Sequence, residues 1–325
     1  MTVHIREGEV RELLTMPVAI EAVEEISRRQ ASGEAIVHPR KRIELPGGGF
    51  FHYMAAADFT SGFLAMKLYT FVRGRLRFVV PLYEIATGEM AALIEADVMG
   101  QLRTGAASGV ATKYLARADA RVAGILGTGG QAKTQLEAVA AVRKIDSASV
   151  FGRNSEKREA YGKEMTKRLG IPVGAVATAE EAVRGADIVC TATTAAQPVF
   201  DGTALAPGTH INAIGANFPH KRELDDAAIA RVNVFVADSV EQSRQEAGDL
   251  VMPFGTDESR WAKVAELAQI VAGSVKGRSS SNEITLFKSN GIAAWDLAVA
   301  VRVYQLAVEK GRGRKLLLWE ETTKD

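Results

Sequence analysis

Cysteine is nearly absent from this sequence, and its absence removes whole classes of function. With one cysteine, Cys190, in 325 residues, neither an intrachain disulfide nor a cysteine metal cluster can form, and no metal is expected. Cys190 stands in the apolar run DIVCTAT (187–193), where it reads as a small buried side chain. A surplus of charge is missing too. Forty basic against 39 acidic residues leave a formal net charge of +1, which gives no electrostatic footprint for nucleic acid or an anionic membrane. Long apolar runs are lacking as well. No stretch approaches the roughly 20 consecutive apolar residues that span a bilayer, and the opening MTVHIREGEV lacks the apolar core of a signal peptide. The expectation is a cytoplasmic protein with no nucleic-acid and no membrane partner. What is present, 47% hydrophobic and 24% charged residues, describes a globular chain with length enough for two separate cores.

Two textures divide the chain. The first runs from residue 1 to about 117. A charged helix over about 16–32 precedes the extended runs VHPRKRIEL, FFHYMAAA, LAMKLYTFV and RFVVPLYEIA. Turn signals separate them at Pro46-Gly47-Gly48-Gly49, Ser61-Gly62 and Thr87-Gly88. This pattern predicts long antiparallel strands, then a helix rich in small residues over 101–117. From 118 to 290 short apolar strands (RVAGILG, SASVFGR, DIVCTAT, HINAIG, NVFVAD) alternate with helices such as QAKTQLEAVAAVRKI and SEKREAYGKEMTKRLG. The helix AEEAVRGA opens with a capping-box pair, Thr178 and Glu181. Such alternation implies a parallel sheet covered on both faces. After a strand-like TLFKS, residues 291–311 read as one long helix that returns to the first domain.

The turn Gly127-Thr128-Gly129-Gly130-Gln131-Ala132 closes one strand and opens a helix, fitting G-x-G-x-x-A. The first glycine permits the tight turn and the second lets the backbone approach a pyrophosphate. The final small residue lets the helix pack on the strand, and the helix N-terminus offers N–H groups to phosphate. A second strand follows about 20 residues on, as this motif requires. The expected fold class is therefore α/β, with a Rossmann doubly wound parallel sheet that binds NAD(P)H. The second strand ends at Phe151-Gly152-Arg153-Asn154-Ser155 with no acid at its tip. Arg153 and Asn154 would hold an NADP 2′-phosphate, or Arg153 would stack on adenine, which suits NAD equally. NAD against NADP stays open.

Lys67 is the only charge in the apolar run FLAMKLYTFV, on one strand face with Phe63, Ala65, Tyr69 and Phe71. Buried there, its pKa would fall and suit it to proton transfer; at a strand edge it would snorkel to water instead. Arg103 near the head of QLRTGAASGVATKYLA would cradle a carboxylate with its fork and the helix dipole, or lie on the surface. Arg40 and Arg42 share a strand face, with the same two readings. Arg73, Arg75 and Arg77 alternate in RGRLRF, with His52 in a neighbouring apolar run. They would either admit a second substrate carboxylate or form a solvated hairpin beside a core histidine.

Several segments together resemble the ornithine cyclodeaminase/mu-crystallin family: KLYTF, LRTGAASGVATKYLAR, ILGTGGQA, GADIVCTAT, HINAIGANFPHKRELD, AGDL and TLFKSNGIAAWDLAVA. The resemblance runs from about Arg42 to the last long helix. It implies a homodimer in which an α/β dimerisation and substrate domain (1–117 and 291–325) accompanies the Rossmann domain (118–290). It also implies chemistry on a C=N bond beside a carboxylate, with a small imino or amino acid as partner and hydride from nicotinamide. Lys67 then becomes the proton donor or polarising group, and Arg103 with Arg42 the carboxylate clamp. Thr191, Ala192, Thr193, Gly215 and Ser289 line the cofactor. One departure is Asn217, where cyclodeaminases of the family resemble one another in having aspartate. Asparagine cannot serve as a general base, so ring closure with loss of ammonia is disfavoured. The expected activity is reduction of a small 2-oxo acid imine to an L-amino acid, iminosuccinate included. The alternatives are an ornithine- or lysine-type cyclodeaminase and a dinucleotide-binding protein with little catalysis.

Overall fold

A computed structural model of the chain describes residues 2–318; residue 1 and residues 319–325, at the ends of the expected first domain, lie outside the described residues. The chain divides into two compact units, Met1–Arg103 with Ile292–Asp325, and Thr104–Gly291. The division falls within the helix Asp97–Leu115. Strands are numbered β1 to β15 along the chain.

The first unit contains β1 (Thr2–Ile5), β2 (Ala35–Glu44), β3 (Phe50–Asp58), β4 (Phe63–Val72), β5 (Arg75–Glu84), β6 (Met90–Glu95) and β15 (Arg314–Leu316), in the order β15-β1-β6-β5-β4-β3-β2. β2 to β6 form the antiparallel meander that the alternating runs and glycine turns predict. β1 adds parallel to β6, a pairing that no local pattern announces. Period-two alternation buries Ala65, Lys67 and Tyr69 of β4 beside His52, Met54 and Ala56 of β3. The helix Ala293–Glu309 lies against β2 to β5 on this unit, and Met16–Ala31 packs on that helix. On the opposite sheet face Ile36, Ile43, Leu64 and Val72 are each more than a third exposed.

The second unit has eight strands: β7 (Val122–Leu126), β8 (Ser147–Phe151), β9 (Val173–Ala175), β10 (Ile188–Thr191), β11 (His210–Ala213), β12 (Val234–Ala237), β13 (Val264–Glu266) and β14 (Thr285–Lys288). Their order is β13-β12-β14-β11-β10-β7-β8-β9, and all pairings are parallel. The chain winds outward from β7 to β9, then returns to β10 on the other side of β7. Such a switch point is where open α/β sheets bind ligands. Buried on both faces, the strands read as continuous apolar runs. In β10, Ile188 and Cys190 enter one core and Val189 the other. Cys190 is thus a core residue, and burial pushes its thiol up to about 12. The AEEAVRGA helix spans only Ala179–Val183; Thr178 caps it, but Glu181 reaches back to the Ala177 N–H. Among the described residues no helix is long and apolar enough to cross a membrane.

Candidate active site

Alternation in β4 drives Lys67 to the covered face of the first unit's sheet, where it is 3% exposed. It does not snorkel. Asp296 arrives from the first turn of the helix Ala293–Glu309, where the dipole favours a carboxylate. Lys67 Nζ donates to Asp296 Oδ1 at 2.9 Å, and Arg103 Nε donates to the same oxygen at 3.1 Å. The expectation that Arg103 stands at the head of its helix needs correction. The helix begins at Asp97, more than one turn earlier, and the dipole's effect fades within the first turn. The charge that steadies Arg103 is Asp296. One turn before Arg103, Gly100 passes so close that a Cβ would lie 3.0 Å from Lys67 Nζ.

Burial, then the charge of Arg103, pull the Lys67 ammonium down to about 8; Asp296 works against them and Arg40 adds to the lowering. Two atoms of the cluster, Arg103 Nη1 and Asp296 Oδ2, are enclosed with no hydrogen-bond partner among the described residues. An enclosed polar atom left unpaired costs about 1–3 kcal/mol, and more when charged. Such a cost in a folded chain calls for an explanation, and a site for a ligand that carries both an anionic group and a hydrogen-bond donor is one. The cluster sets an arginine donor beside an ammonium ready to release its proton near neutrality.

The next row of the same sheet face crosses four strands: Arg42, His52, Tyr69 and Phe78 are paired in register. Arg42 Nε donates to His52 Nε2 at 2.5 Å, and His52 Nδ1 bonds the Tyr69 hydroxyl. Burial, then Arg40 and Arg42, push His52 down to about 3. It is a core histidine, as one reading of the sequence had it, yet it touches a candidate site residue. Arg40 is 7% exposed, deeper than the Arg42 side chain at 29%. Arg75 and Arg77 pair with Val72 and Thr70, which puts them on the face opposite Lys67, and Arg73 occupies the turn at φ 49°. The charge beside Lys67 comes from Arg103 and Arg40 instead.

In the second unit Gly127 has φ +120°, and a Cβ there would sit 2.4 Å from the Ala192 carbonyl oxygen, so only glycine fits. Gly129 is the N-cap of the helix Gly130–Val142, which has no side-chain cap. Its first N–H groups suit an external phosphate, with Thr128, Gly130 and Gln131 in the turn and Ala132 fully buried. After β8, Arg153 is exposed and Ser155 opens the helix Ser155–Leu169. Asn154 is less available than its motif implied, because its side-chain oxygen caps that helix at the Lys157 N–H, 2.8 Å away.

A buried network joins the strand ends. Glu223 accepts from Thr191 Oγ1, Thr193 N and Gly215 N, each at 2.7 Å, with Ala192 between the two threonines. Asp249 Oδ1 accepts from the Glu223 and Leu224 N–H groups at 2.6 and 2.9 Å. Lys288 Nζ lies 2.9 Å from Asp249 Oδ2 and donates to the Ala216 carbonyl at 2.6 Å. Asn217, next in the chain, is half-buried. Beyond β14, Asp238 holds the Ser289–Gly291 segment, accepting from Asn290 N at 2.6 Å and from Ser289 Oγ at 3.5 Å. Asp296, Glu223, Asp249, Lys288 and Asp238 escaped the sequence reading. The cue that exposed Lys67, one charge in an apolar run, applies equally to Asp296 in AAWDLAVAV and Lys288 in ITLFKS.

Residues 2–311 match the sequence model of the ornithine cyclodeaminase/mu-crystallin family. A Delta(1)-pyrroline-2-carboxylate reductase of Bacillus cereus is 43% identical over 239 residues, 73% of each chain. The solved structure of Thermococcus litoralis Delta(1)-pyrroline-2-carboxylate reductase, in complex with NADH and L-proline, gives a TM-score of 0.92 at 39% identity. It covers 97% of this chain and 100% of that one. An archaeal alanine dehydrogenase dimer with bound NAD gives 0.91 at 32% identity, covering 98% and 99%. The glycine cradle fits the dinucleotide that this likeness implies. The chain belongs to the ornithine cyclodeaminase/mu-crystallin family and is an NAD(P)-dependent oxidoreductase acting on CH–NH groups.

Proposed function

We propose that the protein reduces the imine of a small 2-oxo acid to the L-amino acid. Pyrroline-2-carboxylate, the substrate in the names of the Bacillus and Thermococcus relatives, is the first candidate. The observation that carries this reading is the buried Lys67–Asp296–Arg103 cluster, with its lowered ammonium and unpaired guanidinium nitrogen. Arg103 Nη1, with Arg42, binds the α-carboxylate. Lys67 Nζ delivers a proton to the imine nitrogen, and Asp296 keeps Lys67 charged and aimed. The 127–132 turn and the helix N-terminus after it would hold the pyrophosphate of an NAD(P)H, which when bound would supply the hydride for the reduction. Thr191, Ala192, Thr193, Gly215 and Ser289 line that cofactor, and Arg153 with Asn154 flanks its adenosine. Asn217 hydrogen-bonds substrate without acting as a base, so reduction is favoured over cyclisation. The exposed apolar sheet face around Ile43, Leu64 and Val72 supports a homodimer formed through the first unit, in a cytoplasmic enzyme.

The test follows NADH and NADPH oxidation on pyrroline-2-carboxylate, on iminosuccinate, and on pyruvate, glyoxylate or oxaloacetate with ammonia. Lys67→Ala should lower turnover by roughly 10²–10⁴-fold while cofactor fluorescence still reports binding. Undiminished turnover removes Lys67 from the mechanism. Ammonia release from ornithine without net cofactor oxidation would replace this reading with a cyclodeaminase.

A further inference from the structure

His52 has no role in the reaction as described, yet it is 1% exposed and bonded on both ring nitrogens. Arg42 can only donate, so His52 Nε2 must be an acceptor, and the ring proton of the neutral form sits on Nδ1 toward the Tyr69 hydroxyl. The crowding of Arg40 and Arg42 around a buried ring keeps it in that neutral form. Phe50 holds the same assembly from the side. Its ring stacks on His52 with centroids 4.2 Å apart at 22°, and Arg42 Cζ lies 5.5 Å from its centroid. Tyr69 is fixed in turn against Phe78, 5.0 Å between centroids.

A guanidinium offers a carboxylate two bidentate edges, one through Nε and one through the paired Nη nitrogens. His52 occupies Nε. Any carboxylate that Arg42 grips with two bonds must therefore use the Nη1/Nη2 edge. Glu44 Oε1 accepts from Nη1 at 3.5 Å on a side chain that is 72% exposed, a contact weakened by solvent.

We propose that His52 is a positioning residue: by accepting the Arg42 Nε–H while bonded to Tyr69, it fixes the guanidinium so that its Nη edge meets the substrate carboxylate. This rests on the assignment of Arg42 to the carboxylate clamp. His52 therefore governs substrate binding and leaves the proton transfer at Lys67 untouched.

The experiment uses the purified full chain, with pyrroline-2-carboxylate as probe substrate, and compares wild type, His52→Phe, His52→Gln, Arg42→Ala and the double variant Arg42→Ala/His52→Phe. Phenylalanine fills the space but accepts no hydrogen bond, so KM should rise about tenfold, the scale of one charged hydrogen bond, with kcat within about threefold. Glutamine can set its side-chain oxygen where Nε2 stood, so KM should return to within about threefold of wild type. In the Arg42→Ala background His52→Phe should add nothing, because its effect passes through Arg42. An unchanged KM in His52→Phe, a fall in kcat alone, or a full additional KM rise in the double variant overturns the inference. If Arg42→Ala itself leaves KM unchanged, the clamp assignment fails first, a separate outcome. Should His52→Phe not fold, His52→Gln and Tyr69→Phe decide: a raised KM in Tyr69→Phe with a retained KM in His52→Gln supports the role, and the reverse sinks it.

Discussion

Lys67 in the first unit and Lys288 in the second are both single charges in apolar strands, 3% and 0% exposed, and each lies 2.9 Å from an aspartate oxygen. Their surroundings differ in sign. Around Lys288 the acids are in surplus: Asp249 and Glu223 share the interior, and burial with the nearby Asp249 raises the Glu223 pKa. Glu223 and Asp249 Oδ1 receive backbone N–H groups or a hydroxyl, Asp249 Oδ2 meets only the Lys288 ammonium among the described residues, and Lys288 itself holds the Ala216 carbonyl. Around Lys67 the cations are in surplus, with Arg103 and Arg40 against one carboxylate. Arg103 Nη1 and Asp296 Oδ2 keep bonding capacity that no described residue uses. A buried charge turned onto backbone is scaffold. A buried charge facing its own sign, with one donor and one acceptor left over, suits the ligand site proposed above.

The strongest way to break this comparison is to remove each ammonium in turn. Lys288→Met leaves Asp249 and the Ala216 carbonyl buried without their partner, and should destabilise the fold by about 3–5 kcal/mol in urea unfolding. Lys67→Met relieves crowding among cations and leaves Asp296 paired with Arg103, so its stability should equal or exceed wild type while turnover is lost. Equal destabilisation by the two variants would erase the distinction. Next in size, Arg103→Ala should raise KM for the carboxylate substrate by at least roughly thirtyfold, the low end of the cost of breaking a buried charge pair. An unchanged KM would remove Arg103 from the clamp.

How far the sequence carried this comparison depends on the range of each signal. Lys67 was legible because its cue is local: a charge on the apolar face of one strand. The glycine turn at 127–132 was legible because its geometry is set within six residues, between a strand and a helix that announce themselves. Asp296 carries the same local cue in AAWDLAVAV, but that it meets Lys67, 229 residues away, is not written in either segment. The same holds for β1 beside β6 and for β14 inserted between β11 and β12. Those pairings are set by tertiary packing, and the short strands Val173–Ala175 and Val264–Glu266 are too brief to show a period. The Arg75/Arg77 alternation was read correctly as a shared face, but only the register with β4 tells which face it is.

A smaller effect sharpens the electrostatic side. In the proposed reduction the Lys67 ammonium gives its proton to the imine, so kcat should hold at neutral pH and fall as pH rises through about 8. Asp296 raises that pKa; Asp296→Asn removes the support, and the alkaline fall should move about one unit lower, equivalent to about 1.4 kcal/mol. Reduction profiles for the two proteins measure this. A limb that stays near 8, or moves upward, contradicts Asp296 as the group that keeps Lys67 charged.

The smallest effect belongs to Arg75 and Arg77. Both are exposed and point away from the Lys67 face, so their charges act on Lys67 through solvent and across the sheet, where screening is strong. Arg75→Ser with Arg77→Ser should change stability by less than about 0.5 kcal/mol and KM for pyrroline-2-carboxylate by less than about twofold. The same variant assayed on iminosuccinate is the more telling measurement. A second carboxylate that used these arginines would lose affinity selectively, raising KM for the dicarboxylate alone. An unchanged ratio of the two KM values leaves Arg40, Arg42 and Arg103 as the positive charge that any acidic substrate meets beside Lys67.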